Sequence, residues 1–162
     1  MELAKLETHP KIIIVLDRLR SAHNTGNIFR IAEAIKAEEI ITCGYTPTPP
    51  HPKLEKTAMG ADKMVKFRHF ESSFNAVEAL RKEGVKMILA VEPLKESVYA
   101  WKMDYKYPAA FIFGNEALGI SEETLKICDG AVSLPMFGEK ASINVGNCVA
   151  ALLYIVVSKH FI

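Results

Sequence analysis

The sequence lacks the features that mark a disulfide-bonded, zinc-binding or membrane-spanning protein. Its three cysteines, Cys43, Cys128 and Cys148, are odd in number and show no C-x-x-C spacing, so reduced thiols are predicted rather than a disulfide framework or a zinc site. The longest apolar run, residues 148–157, is about half the length that a membrane-spanning helix requires. No secretory signal precedes the first apolar run at residues 12–16. These absences predict a cytoplasmic protein with no membrane association.

No excess of charge of either sign identifies a partner. The 162 residues include 20 Lys and Arg against 19 Asp and Glu, for a formal net charge of +1. The overall charge therefore does not indicate a polyanion as binding partner. With 49 % hydrophobic and 24 % charged residues, the composition is that of a globular protein. A chain of this length builds one core and is too short for two, so a single domain over residues 1–162 is predicted.

Short apolar runs alternate with longer segments of helical composition. The runs at 12–16, 87–91 and 109–113 are apolar on both faces, as strands covered by helices on both sides must be. The alternation predicts an α/β domain whose mainly parallel sheet is flanked by helices. The predicted strands are 12–16, 40–43, 64–67, 87–91, 109–113 and 131–134, and the predicted helices are 24–37, 73–83, 121–127 and 142–159.

Polar residues are concentrated directly after three of the predicted strands, in clusters at 24–30, 114–116 and 136–147. Parallel sheets bind their ligands at the carboxyl ends of the strands. We therefore expect the three clusters to meet at one edge of the sheet and form one site. A helix N-terminus needs a cap and a turn residue, and that need does not account for so many polar groups.

Common phosphate-binding and catalytic motifs are absent from the sequence. The chain has neither G-x-x-x-x-G-K-[ST] nor G-x-G-x-x-G, the two glycine-rich phosphate-binding motifs. It also lacks H-E-x-x-H, a Cys/His cluster and paired Asp residues, so no metal is predicted. Without G-x-S-x-G a hydrolase is disfavoured. The groups that remain to form a site are backbone groups, side-chain amides, one carboxylate and one guanidinium.

Taken in order, the three clusters resemble the three motifs of the SpoU–TrmH branch of the SPOUT superfamily, the RNA ribose 2'-O-methyltransferases. Asn24 and Arg30 match an Asn followed six residues later by an Arg. Residues 113–120 match (F/L)GNE..G(I/V/L), and residues 134–145 match IPM.G...S(L/I)N(V/L). The resemblance covers residues 12–160, which is nearly the whole chain.

The resemblance implies an α/β sheet with a C-terminal deep trefoil knot, a homodimer, and S-adenosylmethionine bound in the knot. It also implies methylation of a ribose 2'-hydroxyl in RNA, with tRNA as the expected substrate and no metal. By motif position, the predicted catalytic residues are Asn24, Arg30, Glu116, Ser142 and Asn144. The predicted cofactor-binding residues are Val91, Glu92, Gly114, Asn115, Gly119, Leu134, Met136, Ser142 and Ile143.

Three basic residues are the predicted contacts to RNA. Arg30 is expected to clamp a phosphate and to stabilise the developing alkoxide, because a guanidinium does not normally act as a base. Lys53 and Lys56 lie in a segment, residues 51–69, with five Lys or Arg against two acids. A segment of this kind is more often simply a solvated surface, but beside a ribose site phosphate contacts are needed.

Each candidate residue also has an ordinary structural explanation when it is taken alone. Asn24 and Ser142 could be helix caps, Met136 a core residue, and Glu116 one more acid near a helix N-terminus. Three functional alternatives stay open at this point. They are the same chemistry on ribosomal RNA, a non-catalytic module that binds RNA and cofactor, and, less favoured, a flavodoxin-like nucleotide binder.

The C-terminal helix carries the prediction of a dimer. Residues 144–157 are apolar nearly all round in the later turns, whereas a surface helix of a monomer shows a polar face. We expect this helix to pack against a second copy, with Leu153 and Val156 in the interface. The RNA site would then be shared between subunits, with Arg30 reaching a ribose bound over the neighbour's cofactor.

Overall fold

One parallel sheet organises the part of the chain that the structure, a computed structural model, describes: residues 8–161. The strands are β1 Ile12–Asp17, β2 Glu39–Cys43, β3 Phe67–Phe70, β4 Met87–Val91, β5 Val98–Tyr99, β6 Ala109–Gly114 and β7 Gly130–Ser133. The helices are α1 Ala22–Ala34, α2 Pro52–Ala58, α3 Ser73–Lys82, α4 Glu122–Leu125 and α5 Val145–Phe161, with a short 3-10 turn at Ala61–Lys63.

The strand order places the site at one edge of the sheet. The order is β3-β2-β1-β6-β4-β7-β5, and every pairing between these strands is parallel. The carboxyl ends of β1, β6, β4 and β7 therefore lie side by side, and the three polar clusters follow three of these ends. The prediction of an α/β domain with a mainly parallel, helix-flanked sheet is confirmed.

Alternation of side chains along β1 builds two core layers. Ile12, Ile14 and Leu16 pack in the cluster that includes residues of α1, α2 and α5. Ile13 and Val15 pack on the other face, in the cluster that includes residues of α3. A strand covered on both faces gains burial from every residue, which explains why β1 is apolar without interruption.

Apart from small shifts at the ends of elements, three regions differ from the prediction: the start of β3, helix α2, and the two-residue strand β5, which was not predicted. The strand predicted at 64–67 begins only at Phe67, because the N–H groups of Met64 and Val65 donate to the carbonyl of Ala61 and continue the preceding turn. Helix α2 was not predicted. Its first residue is Pro52, a position that proline favours, and the ring of His51 caps it by accepting the N–H of Leu54 at 3.4 Å.

The exposed face of α5 is not the predicted one. Leu153 and Val156 are fully buried in this chain's own core, because they lie on the side of the helix that packs on the sheet. The predicted interface residues were therefore wrong. The exposed residues of α5 instead include Asn147, Ala151 and Tyr154, which share one stripe. No helix within residues 8–161 has the length and apolar character needed to cross a membrane.

Gly26 lies where α1 packs closely on α2, and we predict that a side chain at this position does not fit. A Cβ at Gly26 would lie 2.5 Å from the carbonyl oxygen of Leu54 and still closer to the hydroxyl of Thr57. Overpacking costs about 1–3 kcal/mol, and replacing a helical glycine by alanine returns about 1 kcal/mol. Because the carbonyl of Leu54 belongs to the backbone and cannot rotate away, the upper part of that cost applies, ~2–3 kcal/mol, and we expect Gly26→Ala to lower the free energy of unfolding by about 1–2 kcal/mol in urea denaturation.

The matched control is Gly138→Ala, because a Cβ there meets no atom within 4 Å. It should change the free energy of unfolding by less than about 0.5 kcal/mol. A Gly26→Ala protein as stable as its parent would contradict the packing of α1 on α2 described here.

Candidate active site

Two loops at the carboxyl edge of the sheet are tied together by the residues that end β1. The buried carboxylate of Asp17 accepts the N–H of Ser121 at 2.9 Å. Arg18 contacts the same carboxylate at 3.2 Å and donates to the carbonyl of Gly119 at 3.1 Å. The sequence analysis did not single out Asp17 or Arg18, although a charged pair directly after a wholly apolar strand was a usable signal.

Asn115 fixes the same connection from the opposite side. Its amide nitrogen donates to the carbonyl of Arg18 at 2.7 Å and to the hydroxyl of Tyr45 at 3.0 Å. Its amide oxygen accepts the N–H groups of Ala117 and Leu118, each at 2.8 Å. Every polar atom of this buried side chain is therefore engaged within the protein, and its contribution is to hold the turn that follows β6.

Three of the predicted catalytic side chains form a continuous hydrogen-bonded chain. The carboxylate of Glu116 accepts the amide of Asn24 at 3.1 Å and the N–H groups of Arg20 at 3.1 Å and Ser21 at 3.4 Å. The amide oxygen of Asn24 in turn accepts the amide of Asn144 at 3.0 Å. One residue comes from each polar cluster, so these bonds join all three clusters.

Ser21 and Asn144 cap the two helices for which the sequence analysis considered Asn24 and Ser142 as caps. Ser21 caps α1 by accepting the N–H of Asn24 at 3.1 Å, which leaves the Asn24 amide available to Glu116. Asn144, rather than Ser142, satisfies the start of α5, because its oxygen accepts the N–H of Gly146 at 2.8 Å. Asn144 thus serves the helix and the hydrogen-bonded chain together.

Hydrogen bonding keeps Glu116 ionised. Partial burial works to raise the pKa of this carboxyl group, but the N–H groups of Glu116 itself, Arg20 and Ser21 and the amide of Asn24 all favour the charged form. Together they hold the pKa of Glu116 below its usual value of 4.5. The carboxylate is therefore a fixed negative acceptor at neutral pH.

A cavity of about 620 Å³ lies beside this chain of hydrogen bonds. It is bounded by the ends of β4, β6 and β7 and by the start of α5. All of the residues predicted to bind the cofactor line it, namely Val91, Glu92, Gly114, Asn115, Gly119, Leu134, Met136, Ser142 and Ile143. The sequence analysis missed further lining residues, including Pro93, Ala141 and Cys148.

The cavity suits the cofactor that the motifs imply. Its volume is in the range of small-molecule sites, and its walls include the apolar side chains of Val91, Leu134 and Ile143. The lining also has polar side chains, some already bonded within the protein: one oxygen of Glu92 accepts the N–H of Ile120 at 2.7 Å, and the Asn115 oxygen accepts two backbone N–H groups. The other polar lining residues are Glu116, Ser133, Ser142 and Asn144. An adenine ring needs an apolar slot with a few hydrogen-bonding groups, so the lining fits an adenosine-type ligand.

The predicted basic residues lie elsewhere. Arg30 is exposed on α1 and is not among the residues that line the cavity. It borders a second concavity of about 560 Å³ together with Met59, Met64 and Tyr154. Lys53 is exposed on α2, as is Lys56. One subunit therefore brings Asn24, Glu116, Ser142 and Asn144 to the cavity region but leaves Arg30 and the two lysines outside it.

Among the described residues, no group of three or more His, Cys, Asp or Glu side chains is placed to hold a metal ion.

The lowered pKa of Glu116 predicts a pH-dependent contribution to stability. A carboxyl group with a depressed pKa stabilises the folded state above its unfolded-state pKa, and this contribution is lost as the pH falls through the folded-state value. We expect the difference in unfolding free energy between the parent and Glu116→Gln to be largest near neutral pH. It should shrink as urea denaturation is repeated at pH values falling below 4.5. A difference that stays constant over this range would show that the hydrogen bonds do not favour the charged form.

Comparison with known proteins places this chain in a family. The model of the SpoU rRNA Methylase family matches residues 11–154. The chain is 30 % identical over 146 residues to the tRNA (guanosine(18)-2'-O)-methyltransferase of Thermus thermophilus, covering 90 % of this chain and 73 % of that protein. It is 29 % identical over 144 residues to the 23S rRNA (uridine(2479)-2'-O)-methyltransferase of Streptomyces viridochromogenes, covering 87 % of this chain and 50 % of that protein.

A solved structure agrees in fold. The SpoU methyltransferase AviRb from Streptomyces viridochromogenes, crystallised in complex with AdoMet, superimposes with a TM-score of 0.83 at 26 % identity. The match covers 95 % of this chain and 59 % of that one, so the chain spans little more than half of some of its relatives. The family model, however, matches most of the chain. The chain belongs to the SpoU rRNA Methylase family.

Proposed function

We propose that the protein transfers the methyl group of S-adenosylmethionine to the 2'-hydroxyl of a ribose in RNA. The observation that carries this proposal is the hydrogen-bonded chain from Glu116 through Asn24 to Asn144, which lies beside a cavity suited to an adenosine-type ligand. Family membership supports the same chemistry, since two relatives at 30 % and 29 % identity are named for ribose methylation.

The cavity residues would hold S-adenosylmethionine, whose sulfonium supplies an electrophilic methyl group. Val91, Leu134 and Ile143 would form the apolar wall against the ring. Glu92 and Ser142 would provide polar contacts from opposite loops. The turn that follows β6 keeps its shape without the ligand, because Asn115 and Asp17 already hold it.

The polar side chains would place the target hydroxyl. Because Glu116 fixes the amide of Asn24, and Asn24 fixes that of Asn144, these groups lose little freedom when a ribose binds. Fixing two reacting groups in line can lower a barrier by about 7–11 kcal/mol. Arg30 would contact a neighbouring phosphate and stabilise the negative charge that develops on the ribose oxygen.

We propose a homodimer, because Arg30 stands apart from the cavity of its own subunit. The concavity beside Arg30 carries an apolar surface, with Met59 and Met64 exposed to 73 % and 70 %. Exposed apolar patches of this kind mark interaction sites. A second copy packed against α1 and the Tyr154 face of α5 would bring the partner's Arg30 to this subunit's ribose site.

The trefoil knot is part of the same proposal. After β7 the chain must cross the ends of β4 and β6 to reach α1, where Asn144 bonds to Asn24. The path of this segment supports a threaded loop.

A single sheet supports one catalytic domain over residues 1–162. The thiols of Cys43, Cys128 and Cys148 form no disulfides, which supports a cytoplasmic location.

For the substrate we propose tRNA. The chain covers 73 % of the Thermus thermophilus tRNA enzyme but only 50 % of the Streptomyces viridochromogenes 23S rRNA enzyme. The exposed Lys53 and Lys56 on α2 would make phosphate contacts. Ribosomal RNA is the second candidate, because the identity to the two relatives is nearly equal, at 30 % and 29 %.

Titration calorimetry tests the cofactor site. We expect S-adenosylmethionine to bind the purified protein with micromolar affinity, and to bind equally well in the presence of a chelator. Met136→Arg should abolish this binding, because the partly exposed Met136 lines the cavity and an arginine there would fill it and repel a cationic ligand. Absence of binding heat for the parent, or binding that requires a metal, would contradict the proposal.

Mixing two inactive variants tests the shared site. Arg30→Ala should bind S-adenosylmethionine normally but transfer no methyl group to tRNA, whereas Met136→Arg should lose cofactor binding. If Arg30 acts on the partner's cavity, mixed dimers regain one complete site, and random mixing restores about a quarter of the parent activity.

The outcome depends on subunit exchange, so Tyr154→Asp provides the control. The exposed Tyr154 borders the concavity beside Arg30, and a charge there should separate the subunits in sedimentation and prevent the recovery. Mixed dimers that form but stay inactive would show that Arg30 does not act across the interface.

A further inference from the structure

Two exposed aromatic rings stack on each other at the outer edge of the sheet. Tyr99 and Trp101 are 42 % and 43 % exposed, and their ring centroids lie 5.2 Å apart with the planes inclined by 29°. The ammonium of Lys102 lies 5.9 Å from the centroid of the Tyr99 ring. The rings of Tyr99 and Trp101 are called the aromatic pair below. Neither ring belongs to the core clusters.

Hydrogen bonds hold the backbone of the aromatic pair in place. The N–H of Lys102 donates to the carbonyl of Tyr99 at 2.8 Å and closes a tight turn. Lys159, from the last turn of α5, donates to the carbonyls of Trp101 at 2.6 Å and Met103 at 2.8 Å. The rings are therefore presented by a fixed turn, so a ligand that stacks on them need not order the chain.

The aromatic pair lies next to the cavity. Tyr99 ends β5 and pairs in register with Ser133 of β7, and the N–H of Ala100 donates to the carbonyl of Ser133 at 3.0 Å. Ser133 is itself a lining residue of the cavity. Because β5 and β7 are parallel, the pair extends the same carboxyl edge on which the candidate active site is built.

The protein's own core does not bury these rings, which lie on the last strand of the sheet (Tyr99) and in the turn that follows it (Trp101). An exposed aromatic stack beside a cation is a surface on which nucleic-acid bases bind, since every base offers a π face and stacking contributes without base-specific hydrogen bonds. Lys95 and Lys106 in the neighbouring loops are exposed, as are Glu96 and Asp104, so residues 95–106 carry three lysines against two acids, and Lys102 is the cation beside the pair.

We propose that the aromatic pair, with Lys102, is a stacking platform for an unpaired base of the RNA substrate. This base lies outside the cavity and flanks the nucleotide whose ribose is methylated. The inference rests on the proposed function, because it takes RNA as the substrate. The platform would recognise local single-stranded structure in the RNA rather than one particular base.

The chain contains one tryptophan, so its tryptophan fluorescence reports on Trp101 alone. Bulk tRNA titrated into the protein, without cofactor, should quench this fluorescence along the same curve that filter binding gives. Trp101→Ala should weaken tRNA binding by about 5- to 150-fold, the range expected for loss of one stacked base. Trp101→Phe, which keeps a ring, should weaken it by less than about 5-fold.

Two controls separate this proposal from loss of folding and from failure of the proposed function. Phe161→Ala removes another exposed aromatic ring, on α5, and should leave the tRNA affinity unchanged, while S-adenosylmethionine affinity should be unchanged in every variant. Quenching without methyl transfer by the parent would support the platform and contradict the proposed reaction. Binding of tRNA without quenching would overturn the platform. So would a Trp101→Ala protein whose affinity for tRNA is unchanged, whether or not that protein still forms dimers.

Discussion

The site depends on the ties between the loop after β1 and the loop after β6. A parallel sheet brings strand ends to one edge but does not hold the loops that follow them. Here the buried carboxylate of Asp17 accepts a hydrogen bond from the N–H of Ser121. The amide oxygen of Asn115 accepts two backbone N–H groups, and its amide nitrogen donates to the carbonyl of Arg18. A buried carboxylate without partners would be costly, so these loops have one stable arrangement. Among the described residues, no buried side-chain nitrogen or oxygen lacks a hydrogen-bond partner.

The candidate active site follows from this arrangement. Once the loops are tied, Glu116 can reach the start of α1 and Asn24, and Asn24 can reach Asn144 at the start of α5. The cavity is the space that remains between these loops and the segment after β7. The same edge continues through Ser133 to Tyr99 at the end of β5. Cofactor, ribose and flanking base would therefore bind in sequence along one edge of one sheet, with Arg30 supplied by the second subunit.

Local patterns predicted the sheet well and the loops poorly. Strands β1, β4 and β6 were predictable because each is apolar on both faces, whereas β3 was displaced because apolar residues of the preceding turn resemble a strand. The residues expected to bind the cofactor came from the resemblance to the family motifs, and they line one cavity; their role there stays a prediction. The charged pair Asp17 and Arg18 could have been singled out after an apolar strand, but its partners could not be predicted, because they lie about 100 residues away in the sequence. The structure leaves Arg30 outside the cavity of its own subunit, which is compatible with the expectation from the sequence that it acts on a neighbouring subunit's site; that expectation stays a proposal.

The most direct test of the central claim is the chemical position of the transferred methyl group. Total RNA incubated with the protein and S-adenosylmethionine labelled in the methyl group should take up the label, and alkaline hydrolysis should leave that label in dinucleotides. A methylated ribose oxygen cannot attack the adjacent phosphate, so the bond beside it survives alkali. Label recovered in mononucleotides would place the methyl group on a base, and no incorporation would remove the reaction altogether; either result would contradict ribose methylation.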